Sequence, residues 1–571
     1  MRAIPPAAGR LATWGAPPAL VILVVWLTFG GPAWDARVPI AVGGDASFYL
    51  SQSKTTLDHG WWWWNPSQGL PLEYPPLIFG QTTNVDQVLV WIAGRFTSDV
   101  GLAVNITWIA MLALSAVTAA WGLRRLGVSA VSAGAAGVLF ALSPLALYRH
   151  IGHMSLVTYL VPLPATAAML LASADRDSVW RRRDRVILGV GCALVGFNYV
   201  YNAFFGAALV VSGLAIGFAR TRSRPLLKSG AVWLGAIVLA TALNLLPTQL
   251  AWRQHGMPLG IEHLTTESEH YGLKIRHLLT PVYHHWFPPF KSWVDADTAA
   301  AFPGETENRL SRLGAIAAIG WLALMATLVV PLRREPATAG DPVPAAARLA
   351  LVALLVATIG GFGSLWSLIS PAIRGYNRIA PFIAFFVLVA VAAWVDRFTR
   401  PRRRVRVVLC ALLLVVGISD QSAPLRGLAS GAPGMAVMWH DLDAFVADLE
   451  ARLPAGSAIM QFPLRPYPND PGTERMGVYD HFLPYLVSRH LRWSFPPLSG
   501  RQRDWQAEIG RLPSRDWPVL LTRAGFRAIL IDRAGYWDRG QSIADELRAA
   551  PGAPVTLVEN HRYIVLDLRR P

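Results

Sequence analysis

The stretch RRRDRVILGVGCALVGFNYVYNAFFGAALVVSGLAIGFARTRSRPLLK, Arg181 to Lys228, decides how the chain is read. Its apolar block, residues 186 to 219, is longer than the roughly 20 residues that one helix needs to cross a bilayer. Arg181, Arg182, Arg183 and Arg185 precede it, and Arg220, Arg222, Arg224 and Lys228 follow it. Short loops rich in Arg and Lys stay on the cytoplasmic side. Only a hairpin satisfies both clusters: two short helices that meet on the far side at Asn198-Tyr199-Val200-Tyr201-Asn202.

Working outward, further apolar windows lie near 17 to 34, 99 to 122, 128 to 148 and 155 to 173, then near 229 to 250, 312 to 331, 349 to 369, 379 to 396 and 405 to 420. With the N-terminus inside, Arg124-Arg125, Arg333-Arg334 and the run from Arg397 to Arg406 all fall in cytoplasmic loops. This predicts about eleven transmembrane helices. Residues 35–98, 251–311 and everything after about 421 are then extracytoplasmic. Arg2 and Arg10 ahead of the first apolar run imitate a secretory signal, but no small-x-small cleavage site follows, so that run is expected to be a retained helix.

Composition agrees. The chain has 571 residues, 53% of them apolar and only 15% charged, which suits a polytopic membrane protein rather than a soluble one. A net charge of +16 invites a nucleic-acid reading, yet the basic residues sit in short clusters between apolar runs, so they are topology signals and no nucleic-acid partner is expected. Cys192 and Cys410 both lie inside apolar segments, leaving the exported loops no thiol for a disulfide.

Two domains are expected: a membrane domain, 1–421, with outer loops 35–98 and 251–311, and an extracytoplasmic α/β domain, 422–571. In the second, Ser457–Phe462, Val519–Arg523, Ala528–Asp532 and Tyr563–Leu568 read as strands, alternating with helical patterns at 442–452 and 541–550. The Ala-Pro-Gly stretch at 336–346 reads as a cytoplasmic linker.

Chemistry is sought first at Gly43-Gly44-Asp45, just beyond the first apolar run. A carboxylate at an apolar boundary is desolvated, its pKa rises, and it can take a proton from a hydroxyl held within hydrogen-bond reach. The structural alternative is an N-cap for the helical pattern that follows. Trp61 to Trp64 suit headgroup anchors, or a stacking wall for a sugar or isoprenoid in which Trp61 and Trp64 join Glu73 or Asp86. Arg149, His150 and His153 end one span, and Arg374, Tyr376, Asn377 and Arg378 form a short outer loop. These groups could clamp a lipid-linked phosphate, since guanidinium forks match phosphate oxygens, or could snorkel to headgroups.

The loop 251–311 contains the capping-box pattern Thr266-Glu267-Ser268-Glu269, followed by Tyr271, Ile275, Leu278 and Leu279 at helical spacing. An amphipathic surface helix is expected there, with Glu269 a candidate acceptor contact. His263, His270 and His277 recur every seven residues. Seven helical residues rise about 10 Å, too far for ligands of one ion. Asp295-Ala-Asp297 and Asp441-Leu-Asp443 are short enough to be solvated turns or helix starts, so no metal ligand is assigned.

A first helix, a long outer loop opening with Gly43-Gly44-Asp45, about ten further spans and an exported C-terminal domain together resemble the GT-C superfamily of membrane glycosyltransferases. The resemblance implies an inverting transfer, hexosyl or pentosyl, from a polyprenyl-phosphate or diphosphate sugar to a cell-envelope glycan, lipid or protein at the outer face of a bacterial inner membrane. It makes Asp45 the base and the outer arginines the stabilisers of the leaving phosphate. Many members carry two adjacent acidic residues or a D-x-D in this loop, whereas Asp45 is followed by Ala46 and Ser47. No cofactor is therefore expected, with a divalent cation left open. The competing expectation is a transporter or flippase of a lipid-linked envelope precursor, in which the same arginines hold phosphate in transit.

Overall fold

The computed structural model describes residues 14–72, 77, 83–175, 180–330, 341–473, 475–497 and 504–568. Glu73, Arg333 and Arg334 lie outside them, as do residues 336–340 of the 336–346 stretch, whose last residues begin the helix Val343–Ala357.

The Arg-flanked block is a helical hairpin. Helices Arg182–Gly196 and Val200–Thr221 reverse direction across 197–199, close to the expected turn. Small residues let backbones meet here, as they do in lipid, where apolar burial alone gives no drive to associate. A Cβ on Gly213 would lie 2.3 Å from the Ala168 carbonyl oxygen, and one on Gly217 would lie 2.1 Å from that of Leu171.

Among the described residues, five helical runs are long and apolar enough to cross a membrane: Val100–Arg125, Ala130–Leu156, Val200–Thr221, Arg224–His255 and Tyr376–Phe398. Shorter apolar helices, Ala16–Thr28, Pro162–Ser173, Ala315–Val329 and Val343–Ala357, accompany them. Helix Arg224–His255 leaves Val232 and Leu239 about two-thirds exposed, at 64% and 63%. Helix Ala380–Phe398 is enclosed on most sides. Helices Arg403–Gln421 and Ala423–Arg452 meet at a 50° bend and lead the chain to a C-terminal sheet.

That sheet has five strands: β1 (Ala458–Phe462), β2 (Arg492–Trp493), β3 (Phe526–Asp532), β4 (Val555–Glu559) and β5 (Tyr563–Asp567). Their order is β2-β1-β3-β5-β4. β1 runs parallel to β2 and β3, while β5 is antiparallel to β3 and β4. Parallel neighbours require a crossover. The one from β1 to β2 carries residues 463–491, and this is the segment laid against the helix that begins at Asp45.

Two local expectations are corrected. Residues 519–523 are not a strand but belong to the helix Trp517–Arg523, because Pro518 sits at its first turn, where a missing N–H costs nothing. The surface helix expected after Thr266 is broken into Glu267–His270 and Ile275–Leu279. Between them the Leu273 N–H donates to the Ala357 carbonyl at 2.8 Å, and Leu273 bridges to Thr358. Tertiary pairing here overrides helical spacing.

Candidate active site

Gly43 and Gly44 take φ of 91° and 51°, a region that L side chains avoid. The turn is pinned at both residues: Gly43 N–H donates to Ser47 Oγ at 3.0 Å, and Gly44 N–H donates to the Val478 carbonyl at 3.0 Å. Gly44 is the N-cap, and Asp45 is the first residue of helix Asp45–His59. No side chain caps this helix, so the Asp45 carboxyl is not spent on capping.

Asp45 Oδ2 lies 3.7 Å from His153 Nε2. His153 Nδ1 is 2.6 Å from the Gly152 carbonyl, which can only accept, so Nδ1 carries the proton. The Nε2 facing Asp45 is then an acceptor in the neutral ring. The Asp45 side chain is 55% exposed, open to a reactant, yet protein crowds it. Burial raises its pKa above the ordinary 3.8, outweighing the opposing pull of Arg149, Arg378 and Arg374.

Those arginines are organised by Glu307, which the sequence reading did not single out. Arg149 pairs with Glu307 Oε2, and Arg378 Nε is 2.8 Å from Oε1. One carboxylate thus holds two guanidiniums side by side. Burial works against the Glu307 charge but is outweighed by Arg378 and Arg149, so its pKa is lowered. Arg378 also donates to the Tyr199 hydroxyl and lies 4.8 Å from the Tyr201 ring centroid. The turn of the hairpin supplies both tyrosines. Arg374 pairs with Glu267 at 2.9 Å and lies 5.2 Å from the Tyr271 ring.

Tyr479, Tyr467, Phe482 and Phe495 of the sheet domain form one apolar cluster with Phe48 and Tyr49 of the Asp45 helix. The site is therefore built from the loop after the first helix, the end of the Ala130–Leu156 run, the segment before Tyr376, the loop containing Glu307, and the β1–β2 crossover.

Against solved structures, the chain matches ArnT from Cupriavidus metallidurans bound to undecaprenyl phosphate at TM-score 0.54 and 12% identity, covering 99% of both chains. ArnT in the apo state gives 0.53 at 12% identity over 97% of both. The chain shares the fold of ArnT. Arabinofuranosyltransferase AftD from Mycobacteria matches at TM-score 0.50 and 13% identity, over 97% of this chain and 41% of that one. No family model and no curated protein matches the sequence.

Within this fold, the remaining sequence candidates fall in different places. His150, at φ 33°, accepts the Gly152 N–H at 3.2 Å. Tyr376 is buried against Phe204 and Phe205. Asn377 is tied through its backbone to Tyr271 and Ser311, and its buried side-chain oxygen has no partner among the described residues. Asp86 is buried, taking hydrogen bonds from Tyr159 at 2.7 Å and Asn198 at 2.9 Å, and burial pushes its pKa up to about 7. Trp61 is half-buried and Trp64 exposed, whereas Trp62 is enclosed and donates to Asn84 at 3.0 Å. Glu269 accepts the Gly360 N–H at 2.9 Å.

Among the described residues, no three His, Cys, Asp or Glu side chains converge as metal ligands. The residues at Asp45 fit a divalent cation poorly: Glu307 is already paired with Arg149 and Arg378, and Asp45 stands in the field of Arg149, Arg378 and Arg374, which repels a further positive charge.

Proposed function

We propose that the protein is an inverting GT-C-type glycosyltransferase that moves a sugar from a polyprenyl-phosphate or diphosphate carrier to a cell-envelope acceptor, with Asp45 as base. The observation that carries this is the juxtaposition of an accessible carboxyl of raised pKa with two arginines tethered to Glu307. The undecaprenyl phosphate bound to ArnT, whose fold the chain shares, supports a donor of that class.

In this reading the acceptor hydroxyl oxygen attacks the anomeric carbon as the bond from that carbon to the phosphate oxygen breaks. The electron pair departs with the phosphate. Asp45 takes the hydroxyl proton, with neutral His153 facing it through Nε2. Arg378 and Arg149 face the charge that grows on the leaving phosphate. Arg374, His150, Tyr376 and Asn377 complete the donor side, while Glu269, Trp61, Trp64, Glu73 and Asp86 belong to the acceptor side or support it.

The cytoplasmic N-terminus, the roughly eleven spans, the division at about residue 421 and the inner-membrane location with an exported sheet domain belong to this proposal. The test is sugar transfer by purified protein from a polyprenyl-phosphate sugar, comparing wild type with Asp45→Asn. Equal rates in two equally folded samples would remove Asp45 from the chemistry.

A further inference from the structure

The sheet domain has a second concave feature that the transfer chemistry does not use. The turn leaving β3 and the segment after Gly472 enclose a cleft of about 180 Å³, lined by Thr473, Arg475, Ala534, Gly535, Tyr536 and Trp537. Clefts that enclose a whole small molecule run from about 300 to 1,000 Å³, so this smaller one takes a single sugar ring and leaves the rest of a longer glycan in solvent.

Both walls are braced. On one, Asp538 accepts the N–H groups of Gly540 at 2.9 Å and Ser542 at 2.7 Å, and Arg533 donates to the Arg539 carbonyl at 3.2 Å. On the other, Thr473 N–H donates to the Met476 carbonyl at 2.8 Å, and Met476 N–H returns to Thr473 Oγ1 at 3.0 Å. A Cβ on Gly535 would lie 2.4 Å from Pro463 Cδ, so the floor is closed by backbone approach. Little ordering is left to be done on binding.

Within this frame Trp537 is 79% exposed, and the Arg475 guanidinium stands 5.6 Å from its ring centroid. Among the described residues Arg475 makes no ion pair. An exposed indole offers a negative π-face to the apolar, partly positive C–H face of a pyranose. The guanidinium beside it matches a carboxylate substituent on such a ring. The cleft is also near the reacting carboxyl. Arg475 is three residues, at most about 11 Å of chain, from Val478, whose carbonyl holds Gly44.

We propose that this cleft binds the acceptor as an anionic, uronate-bearing oligosaccharide, with Trp537 stacked on one sugar ring and Arg475 paired with its carboxylate. The proposal rests on the glycosyltransferase reading, and its test does not depend on turnover. Full-length protein is titrated into a fluorescent hyaluronan tetrasaccharide, with maltotetraose as the neutral counterpart. Wild type and Asp45→Asn are expected to bind the charged probe equally. Trp537→Ala is expected to weaken that binding at least tenfold, and Arg475→Gln to reduce it to the maltotetraose level. Transfer activity missing from a wild type that still binds in this pattern would sink the function above and leave the cleft assignment standing.

Absence of saturable binding, or wild-type affinity in both cleft variants, overturns the proposal. So does assignment of the indole to the bilayer. A Trp537→Cys label, readable because Cys192 and Cys410 are buried, is expected to be quenched by a soluble quencher and not by brominated lipid.

Discussion

The carboxyl of Asp45 is open enough to meet a reactant and crowded enough for burial to raise its pKa, and two predictions follow from that balance. Because the folded state disfavours the charge, the ionised carboxyl costs stability once the pH exceeds its unfolded pKa. Asp45→Asn is therefore expected to cut transfer about 10²–10⁴-fold while raising the thermal unfolding temperature at neutral pH, a combination that misfolding cannot produce. The pH profile carries the second. A base must be ionised, so kcat/KM is expected to rise with pH through a limb above 3.8, and Arg149→Gln, which removes a charge that lowers this pKa, is expected to move the limb upward. An unmoved limb would mean that another group titrates. Asp45 and the arginines were legible in the sequence because a carboxylate or guanidinium beside an apolar run demands an explanation. Glu307 was not, since its partners lie 158 and 71 residues away along the chain. Nor was Tyr199, which meets Arg378 across 179 residues. The signal that could have found them is arginine in the 374–378 loop, which needs an acidic partner from elsewhere in the chain.

Elements fix where those groups stand. Gly44, at φ 51° and ψ −136°, starts the Asp45 helix, and a Cβ there meets nothing within 4 Å. Gly44→Ala is thus a purely conformational test. It is expected to destabilise by about 1–3 kcal/mol, seen as a lower unfolding temperature, with loss of transfer. Glu307 lies on a short 3-10 turn, Glu307–Leu310, and is 17% exposed, while Arg378 is 8% exposed. Glu307→Gln leaves two crowded guanidiniums with one counter-charge fewer, and is expected to cost about 3–5 kcal/mol in detergent unfolding. Helix positions were legible from apolar length and Arg flanks, as the 182–221 hairpin shows. The break at 271–274 and the helix at 517–523 were not. In the first, a distant strand-like contact outweighs local periodicity, and in the second a proline was overlooked as a start signal.

At the scale of the whole molecule, sequence patterning anticipated a helical body and a small α/β unit, but not that the two share a seam. The seam consists of aromatic side chains whose identity in sequence says nothing about which surface they cover. Phe482 is fully buried there, among Tyr467, Tyr479 and Phe495. Phe482→Ala is expected to cost about 3–5 kcal/mol and to speed amide hydrogen exchange across residues 44–50, as read by mass spectrometry. Unchanged exchange would show that the Asp45 helix holds its position without the sheet domain. The hydrogen bond from Gly44 to Val478 gives the seam an inheritance. The residue next to Asp45 is fastened to the same crossover that bears Thr473 and Arg475. A recombination that exchanged the sheet domain for a relative's would therefore carry across a new cleft and a new clasp beside Asp45 together. Viable swaps are confined to domains that offer a carbonyl at the place of Val478, however widely the rest of their surface has diverged.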